Sequence, residues 1–405
     1  MKNKFTADFE TSTPNWLEVD SEARVWAYAI CEIGNPKNFI YGNSLDDFIE
    51  WCFHDKKNNY TLYFHNLKFD GEYIFSYLLN HGYECVKDKT VIHDKSFTVL
   101  ISETGMFYSI EIYEKTGKHV NKVTIYDSLK ILNFSVEKIA KDFNLPIRKL
   151  ELDYDTYREV GHKLTEHEID YIRCDVEIMA RALKIMFDEG LTKMTIGSNA
   201  LSYYKSMLTS FNRYFPILGF NYDKDIRESY KGGFTYLNPL YKEKEVNENI
   251  LVLDSNSMHP SHMKNDYMPF GEPVYFTGEY KEDILYPLYI QRLSCSFKLK
   301  KNKIPSIQLK HTLGYMPTEY LETTNGEIVE LTLTNIDLEL FFMQYDIDDL
   351  YYHDGYKFKR IIGLFSGYID YWIDKKNEAK KNQNGALYLI AKLMLNSLYG
   401  KFGLN

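Results

Sequence analysis

Cysteine is scarce here and scattered: Cys31, Cys52, Cys85, Cys174 and Cys295 are five, an odd number, and none forms a CxxC pair. Such spacing offers neither a disulfide framework nor a zinc site and suits buried thiols in a reducing cytosol. Long apolar runs are also missing. None approaches the roughly 18 residues of a membrane span, and the opening MKNKFTADFE has no apolar signal core. The expectation is a chain with no targeting segment and no membrane partner. Positive charge is in deficit as well, since 48 Lys and Arg against 57 Asp and Glu leave a net charge of -9. At face value that argues against the basic footprint of a phosphate-binding surface. Internal repeats and low-complexity tracts are absent.

What is present is an ordinary globular composition, 44% hydrophobic and 26% charged over 405 residues, with room for two or three domains. The 35 Tyr and 25 Phe suit stacking on bases and core packing alike. The first 190 residues alternate strand-like runs (FTADFET, RVWAYAICEI, TLYFHN, FTVLIS, FYSIEIY, VTIYDSL) with helix-like ones (LDDFIEWCF, GEYIFSYLL, TEHEIDYIRCDVEIMARALKIMF), an α/β pattern. Thr165 and Glu168 read as a capping box at the head of the last helix. A boundary is expected between 190 and 235, where YKGGF supplies paired glycines. From 266 to 365 the sequence reads as short strands with Pro and Gly turns. KLKKNK (298–303) and DKKNEAKK (374–381) are local basic runs, equally readable as channel lining or as solvated surface.

Acids make the strongest pattern. In FTADFETST, residues i and i+2 of a strand share a face, so Phe5, Ala7 and Phe9 turn to a core while Asp8 and Glu10 project together. YFHNLKFDGEYI (63–74) puts Asn66 and Asp70 at a helix start directly after a strand, and YIRCD puts Tyr171 and Asp175 one helical turn apart. Asp8, Glu10, Asp70 and Asp175 then suit a pair of hard divalent ions, Mg²⁺ or Mn²⁺ rather than zinc, with Tyr171 left to orient a water. Two such ions about 4 Å apart stabilise both the attacking and the leaving oxygen of phosphodiester hydrolysis. Further on, LVLDSNSMHP (251–260) reads as an apolar strand ending in Asp254 and a turn, although a lone Asp there also serves as a cap. The closing KLMLNSLYGKFGLN belongs to an amphipathic helix. Leu387, Ile390, Ala391, Met394, Leu395 and Leu398 form its apolar face, with Tyr388, Lys392, Asn396 and Tyr399 opposite and Gly400 beside them.

The order and wording of these motifs resemble family B DNA polymerases, in particular the protein-primed polymerases of small podophages, along the whole chain. The resemblance implies an RNase H-like 3'-5' exonuclease domain (1–193), followed by an incomplete right-hand polymerase. Its parts would be a linker and palm start (194–265), a terminal-protein-region-like insertion (266–365) and fingers helices (366–405). For the nuclease it implies metal ligands Asp8, Glu10 and Asp175, a further catalytic Asp70, the catalytic Tyr171, a lysine that assists hydrolysis, Lys149, and an extra carboxylate near the metal, Glu151. Single-stranded DNA would be gripped by Thr11, His65, Asn66, Phe69, Ser128 and Leu129. Tyr230, Gly232 and Gly233 match the element that joins the two activities and contacts template. Asp254 and Ser255 match a metal and triphosphate site, and His259, Lys380, Lys392, Asn396 and Tyr399 match nucleotide contacts, with Gly400 leaving room for the base pair.

The implied function is a phage replicative DNA polymerase with proofreading, using Mg²⁺ or Mn²⁺ at two-metal sites. Its partners would be a single-stranded 3' end, primer-template DNA, deoxynucleoside triphosphates and a terminal protein primer, in the cytoplasm of the infected host. Three departures qualify this. SMHP stands where the family has SLYP, so His259 replaces the ring that screens out ribonucleotides. Tyr388 stands where a basic residue is common. A DTDS string, which would bring the second polymerase aspartate, occurs nowhere. The expectation is therefore a chain that hydrolyses DNA but extends it only with a second chain carrying the missing motif and thumb, and whose fingers helix is poorly covered. Rival readings are a stand-alone 3'-5' exonuclease and a module that binds DNA or terminal protein. Four clustered acids, useless to a pure binder, argue against the last.

Overall fold

Alternation makes the first strand. In β1 (Lys4–Ser12), Phe5, Ala7 and Phe9 are buried, and the pleat turns Thr6, Asp8 and Glu10 to the other side. The computed structural model describes residues 3–12, 22–55, 58–116, 119–154, 156–308 and 319–404. Met1, Lys2, Thr13 and Asn405 of the stretches quoted above lie outside them. The chain divides into two compact units, Met1–Tyr203 with Tyr371–Leu398, and Tyr204–Asp370 with Tyr399–Asn405.

In the first unit, β2 (Arg24–Glu32), β3 (Asn35–Gly42), α1 (Leu45–Phe53), β4 (Tyr60–Phe64), α2 (Leu67–Asn80), β5 (Glu84–Cys85), β6 (Ser96–Ile101), β7 (Phe107–Thr116) and β8 (His119–Asp127) follow β1. Then come α3 (Val136–Asp142), α4 (Glu166–Asp188) and α5 (Ile196–Met207). Eight strands form one sheet in the order β3-β2-β1-β4-β8-β7-β6-β5. Its centre is parallel, β1 to β4 and β4 to β8, with Phe64 in register with Asp127, so the two turns that leave β4 and β8 emerge side by side. Helices α1 and α2 cover one face, where Phe9, Phe48, Phe64, Leu67, Ile74 and Ile125 share a core. Helix α4 covers the other. It begins with the expected capping box and is tied to β1 by the Thr6 hydroxyl, which donates to the Val176 carbonyl at 2.7 Å. β3, with its Pro36, and α3 are elements that the sequence pattern did not announce.

The second unit contains α6 (Phe211–Tyr214), α7 (Phe220–Glu228), α8 (Met258–Asn265), β9 (Tyr267–Thr277), β10 (Leu288–Leu299), β11 (Val329–Thr334), α9 (Asn335–Gln344) and β12 (Tyr345–Ile362). Its sheet, β11-β10-β12-β9, is antiparallel throughout and is packed through Leu293, Phe297, Leu333, Phe341 and Tyr345. The expected short strands are instead long, 18 residues in β12, because register shifts at Arg292/Leu293, Ser294/Ser296 and Lys357/Lys359 let them twist without breaking. α10 (Ser366–Lys381) and α11 (Gly385–Phe402) complete the chain.

Two expectations fail in physical terms. Residues 251–254 form no strand, and Leu251, Val252 and Leu253 are 80%, 85% and 81% exposed. An apolar run becomes a strand only when a neighbour takes its backbone bonds, and no described strand pairs with it. Conversely, the apolar face of α11 is not left bare. Ile390, Ala391, Met394, Leu395 and Leu398 are buried, as are Ala386, Leu389 and Leu393, and only Leu387 is half-buried. The first residue of α11, Gly385, lies so close to the end of α3 that a Cβ there would stand 2.0 Å from the Asp142 carbonyl oxygen.

Candidate active site

Carboxylates from β1 and α4 meet above the middle of the eight-stranded sheet. Ligand oxygens of Asp8, Glu10 and Asp175 all lie within 4.8 Å of one another. Asp8 and Glu10 are brought there by the strand period, Asp175 by α4, which also places Tyr171 one turn earlier on the same buried face. Asp70 comes from the first turn of α2 and is buried, feeling the charge of Asp8 without joining the group of three. A cavity of about 170 Å³ opens beside the acids, lined among others by Asp8, His65, Lys149 and Asp175.

Burial raises every acid, and crowding adds to it for Asp8, Glu10 and Asp70. Burial, then Asp175, pushes Asp8 up to about 7. Burial, then Asp8 and Asp175, pushes Glu10 up to about 9. Asp70 is raised by burial and then by Asp8, and Asp175 by burial against the opposing pull of Lys149. Lys149 donates to Asp175 at 2.8 Å, and despite burial that carboxylate raises its ammonium above the ordinary lysine value. Burial and then Glu10 raise the Tyr171 phenol, whose hydroxyl meets that of Tyr154.

These residues fit a divalent cation. The donors are all oxygens, which hard ions prefer. One oxygen of Asp70 and one of Asp175 are buried with no hydrogen-bond partner among the described residues. A cation would satisfy those oxygens and offset the mutual repulsion of the acids.

Around the acids lie the expected strand contacts. Phe69 is 48% exposed with Tyr73 edge-on to it, Asn66 is exposed, and Thr11, His65 and Leu129 are half-buried. Ser128 is buried, and its hydroxyl lies 2.9 Å from the Phe64 carbonyl and 3.0 Å from His65 Nδ1. Glu151 is exposed and outside the carboxylate group. The sequence reading missed Tyr154, whose hydroxyl meets that of Tyr171 and which has no spacing that would announce it, and Asp127, whose buried carboxylate accepts the backbone N–H groups of Asn66 and Leu129.

The second set is differently placed. Asp254 and Ser255 are exposed on irregular backbone. The His259 ring stacks on Tyr399, centroids 4.1 Å apart and planes 15° from parallel. Lys380, Lys392 and Asn396 are exposed, and a Cβ on Gly400 would meet nothing within 4 Å. Gly232 and Gly233 are equally open and have no left-handed φ, while Tyr230 lies against Gly403. Asp354, a conceivable partner for Asp254, is bound by Arg292 and by the Tyr275 hydroxyl and is thereby spent.

The profile of the family described as DNA polymerase type B, organellar and viral, matches residues 52–162 and 151–405. The chain belongs to that family. It is 46% identical over 407 residues to the DNA polymerase of Bacillus phage Nf, covering 100% of this chain and 68% of the relative. Phi29 DNA polymerase complexed with primer-template DNA superposes with a TM-score of 0.89 at 42% identity, over 99% of this chain and 68% of that one. The same values hold for phi29 DNA polymerase complexed with single-stranded DNA. The expected fold class, exonuclease then polymerase, and the expected family B phage polymerase are thus borne out. Among the described residues no helix is long and apolar enough to cross a membrane.

Proposed function

We propose that this phage-type DNA polymerase chain is a protein-primed replicative enzyme whose complete centre is a proofreading 3'-5' exonuclease on single-stranded DNA. The observation that carries the reading is the convergence of Asp8, Glu10 and Asp175, with one oxygen each of Asp70 and Asp175 unpartnered among the described residues. Mg²⁺ or Mn²⁺ bound by these acids would supply electrostatic stabilisation of the attacking and leaving oxygens. The chain's own residues do the rest. Lys149 holds Asp175 in place and supplies a positive charge beside the reacting phosphate, and Tyr171, with its phenol kept protonated, donates a hydrogen bond to orient a water. Exposed Phe69 and Asn66 offer a stacking face and an amide to the terminal nucleotides.

Primer-template DNA, nucleoside triphosphates and a terminal protein are the proposed partners of the polymerase portion. Nucleotidyl transfer in this class uses two metal ions; of the two acids that could join Asp254, Asp354 is bound to Arg292 and Asp349 is exposed. The experiment is a labelled single-stranded oligonucleotide incubated with Mg²⁺ or Mn²⁺: stepwise shortening from the 3' end is expected, and an intact oligonucleotide refutes the reading.

A further inference from the structure

We propose that Arg158 is a positioning residue of the exonuclease centre, tying down the connection between α3 and α4 so that Tyr154 meets Tyr171. The inference rests on the exonuclease reading and adds the group through which that contact is held.

The connection between α3 and α4 has no helix or strand among its described residues, yet it brings Lys149 to Asp175 and Tyr154 to Tyr171. A long loop keeps a fixed course only where its backbone groups find partners. Arg158 supplies them. Its Nη1 donates to the carbonyls of Asp153 and Thr156, at 2.8 and 2.9 Å, one on either side of Tyr154. Its Nε donates to Glu168 at the head of α4, and its guanidinium lies 4.9 Å from the ring centroid of the buried Trp26. Its backbone N–H donates to the Ser12 hydroxyl, at the end of β1, at 3.0 Å. One residue thus joins the loop to β1 and α4, the two elements that carry Asp8, Glu10, Tyr171 and Asp175.

Tyr154 shows why the tether matters. It is 66% exposed, so packing does little to hold its ring, whereas the Tyr171 that it meets is 1% exposed. A phenol has a single hydrogen. In the proposed reaction Tyr171 gives its own to a water, so Tyr154 is the donor in their contact, and its oxygen has to stay within hydrogen-bond distance. The place of an exposed side chain is set by its backbone, and the carbonyls that fix this backbone are bonded to Arg158. Lysine at that position does not substitute. An ammonium is a compact donor on a flexible stem, whereas the guanidinium fork serves the loop through Nη1 and α4 through Nε while it lies over Trp26.

The test uses the full chain, with and without Tyr154→Ala, and two readouts. Degradation of a fluorescent single-stranded oligonucleotide with Mg²⁺ gives kcat, and hydrogen exchange of the peptides spanning 150–163, measured in EDTA, follows the loop itself. Arg158→Lys should lower kcat about tenfold, a modest share of what a misplaced group costs. In the Tyr154→Ala background the same substitution should cost nothing further, because the group that it places is gone. Exchange over 150–163 should rise several-fold in Arg158→Lys in either background. An equal loss of kcat in both backgrounds would put the effect in α4 rather than in the loop and overturns the proposal, as does no loss at all or unchanged exchange. Should Arg158→Lys not fold, Ser12→Ala, which removes only the acceptor of the Arg158 N–H, decides. A kcat loss of about threefold confined to the background that keeps Tyr154 upholds the proposal, and equal losses or none overturn it. An unaltered chain that leaves the oligonucleotide intact overturns the exonuclease reading instead, and the exchange measurement then judges the tether by itself.

Discussion

The acids of the first unit and the acid of the second stand in opposite surroundings. Asp8, Glu10, Asp70 and Asp175 are fixed by a strand, a helix start and a long helix around one core, and their affinity for protons is raised by burial first and, for Asp8, Glu10 and Asp70, by neighbouring carboxylates as well. Asp254 sits in solvent on irregular backbone after three exposed apolar residues. A preorganised site meets its electrostatic cost during folding and needs no rearrangement at the moment of reaction. A site on irregular, solvated backbone meets that cost only when something arrives to order it. The two chemistries proposed for this chain thus need not be equally ready in it.

Removing the preorganised acids is the most severe way to test the contrast. Asp8→Ala with Glu10→Ala should lower single-strand degradation by on the order of 10³-fold or more, because metal-borne stabilisation is worth several kcal/mol and each 1.4 kcal/mol is about tenfold. Quantified gel ladders at saturating Mg²⁺ check this. Undiminished cleavage would mean that the acids are a structural cluster and that the contrast has no chemical meaning.

Stability separates the two regions next. Leu395 is buried in α11, so Leu395→Ala should cost about 2–5 kcal/mol in urea unfolding. Leu253 is four-fifths exposed, so Leu253→Ser should stay within about 0.5 kcal/mol of the unaltered chain. A large loss at Leu253 would show that the segment is packed in solution and would erase the difference. Gly385→Ala, which sets a methyl against the Asp142 carbonyl, should fall between them at about 1–3 kcal/mol.

The sequence made the first unit far more legible than the second. Period-2 alternation located Asp8 and Glu10, helical spacing located Tyr171 and Asp175, and the Thr165 capping box marked where α4 begins, all local signals. The burial of Ser128 was not readable, since it depends on β4 and β8 lying side by side although 63 residues separate Ser128 from His65. The four apolar residues 250–253 read equally well as a buried strand, because periodicity within so short a run cannot name its partner. Leu389 and Leu393 were left off the apolar face of α11, whose buried arc proved wider than one stripe.

The smallest effect concerns how firmly α4 presents Tyr171 and Asp175. Glu168 is buried at the head of that helix, and although burial alone would raise it, the Thr165 backbone amide, Arg158, His162 and the Thr165 hydroxyl together lower it to about 2. A carboxyl whose folded value lies below its unfolded value stabilises the fold above the unfolded value, and that contribution is lost as pH falls from about 4.5 towards 2. One proton limits the slope to about 1.4 kcal/mol per pH unit. Glu168→Gln should therefore be less stable than the unaltered chain at pH 6, where Arg158 loses its charged partner, and the gap should close as pH is lowered through that window. Urea unfolding of both proteins at pH 6, 4.5 and 3 measures it. A gap that stays constant would place the stabilising interaction elsewhere and leave the helix carrying Tyr171 and Asp175 without its acid-sensitive anchor.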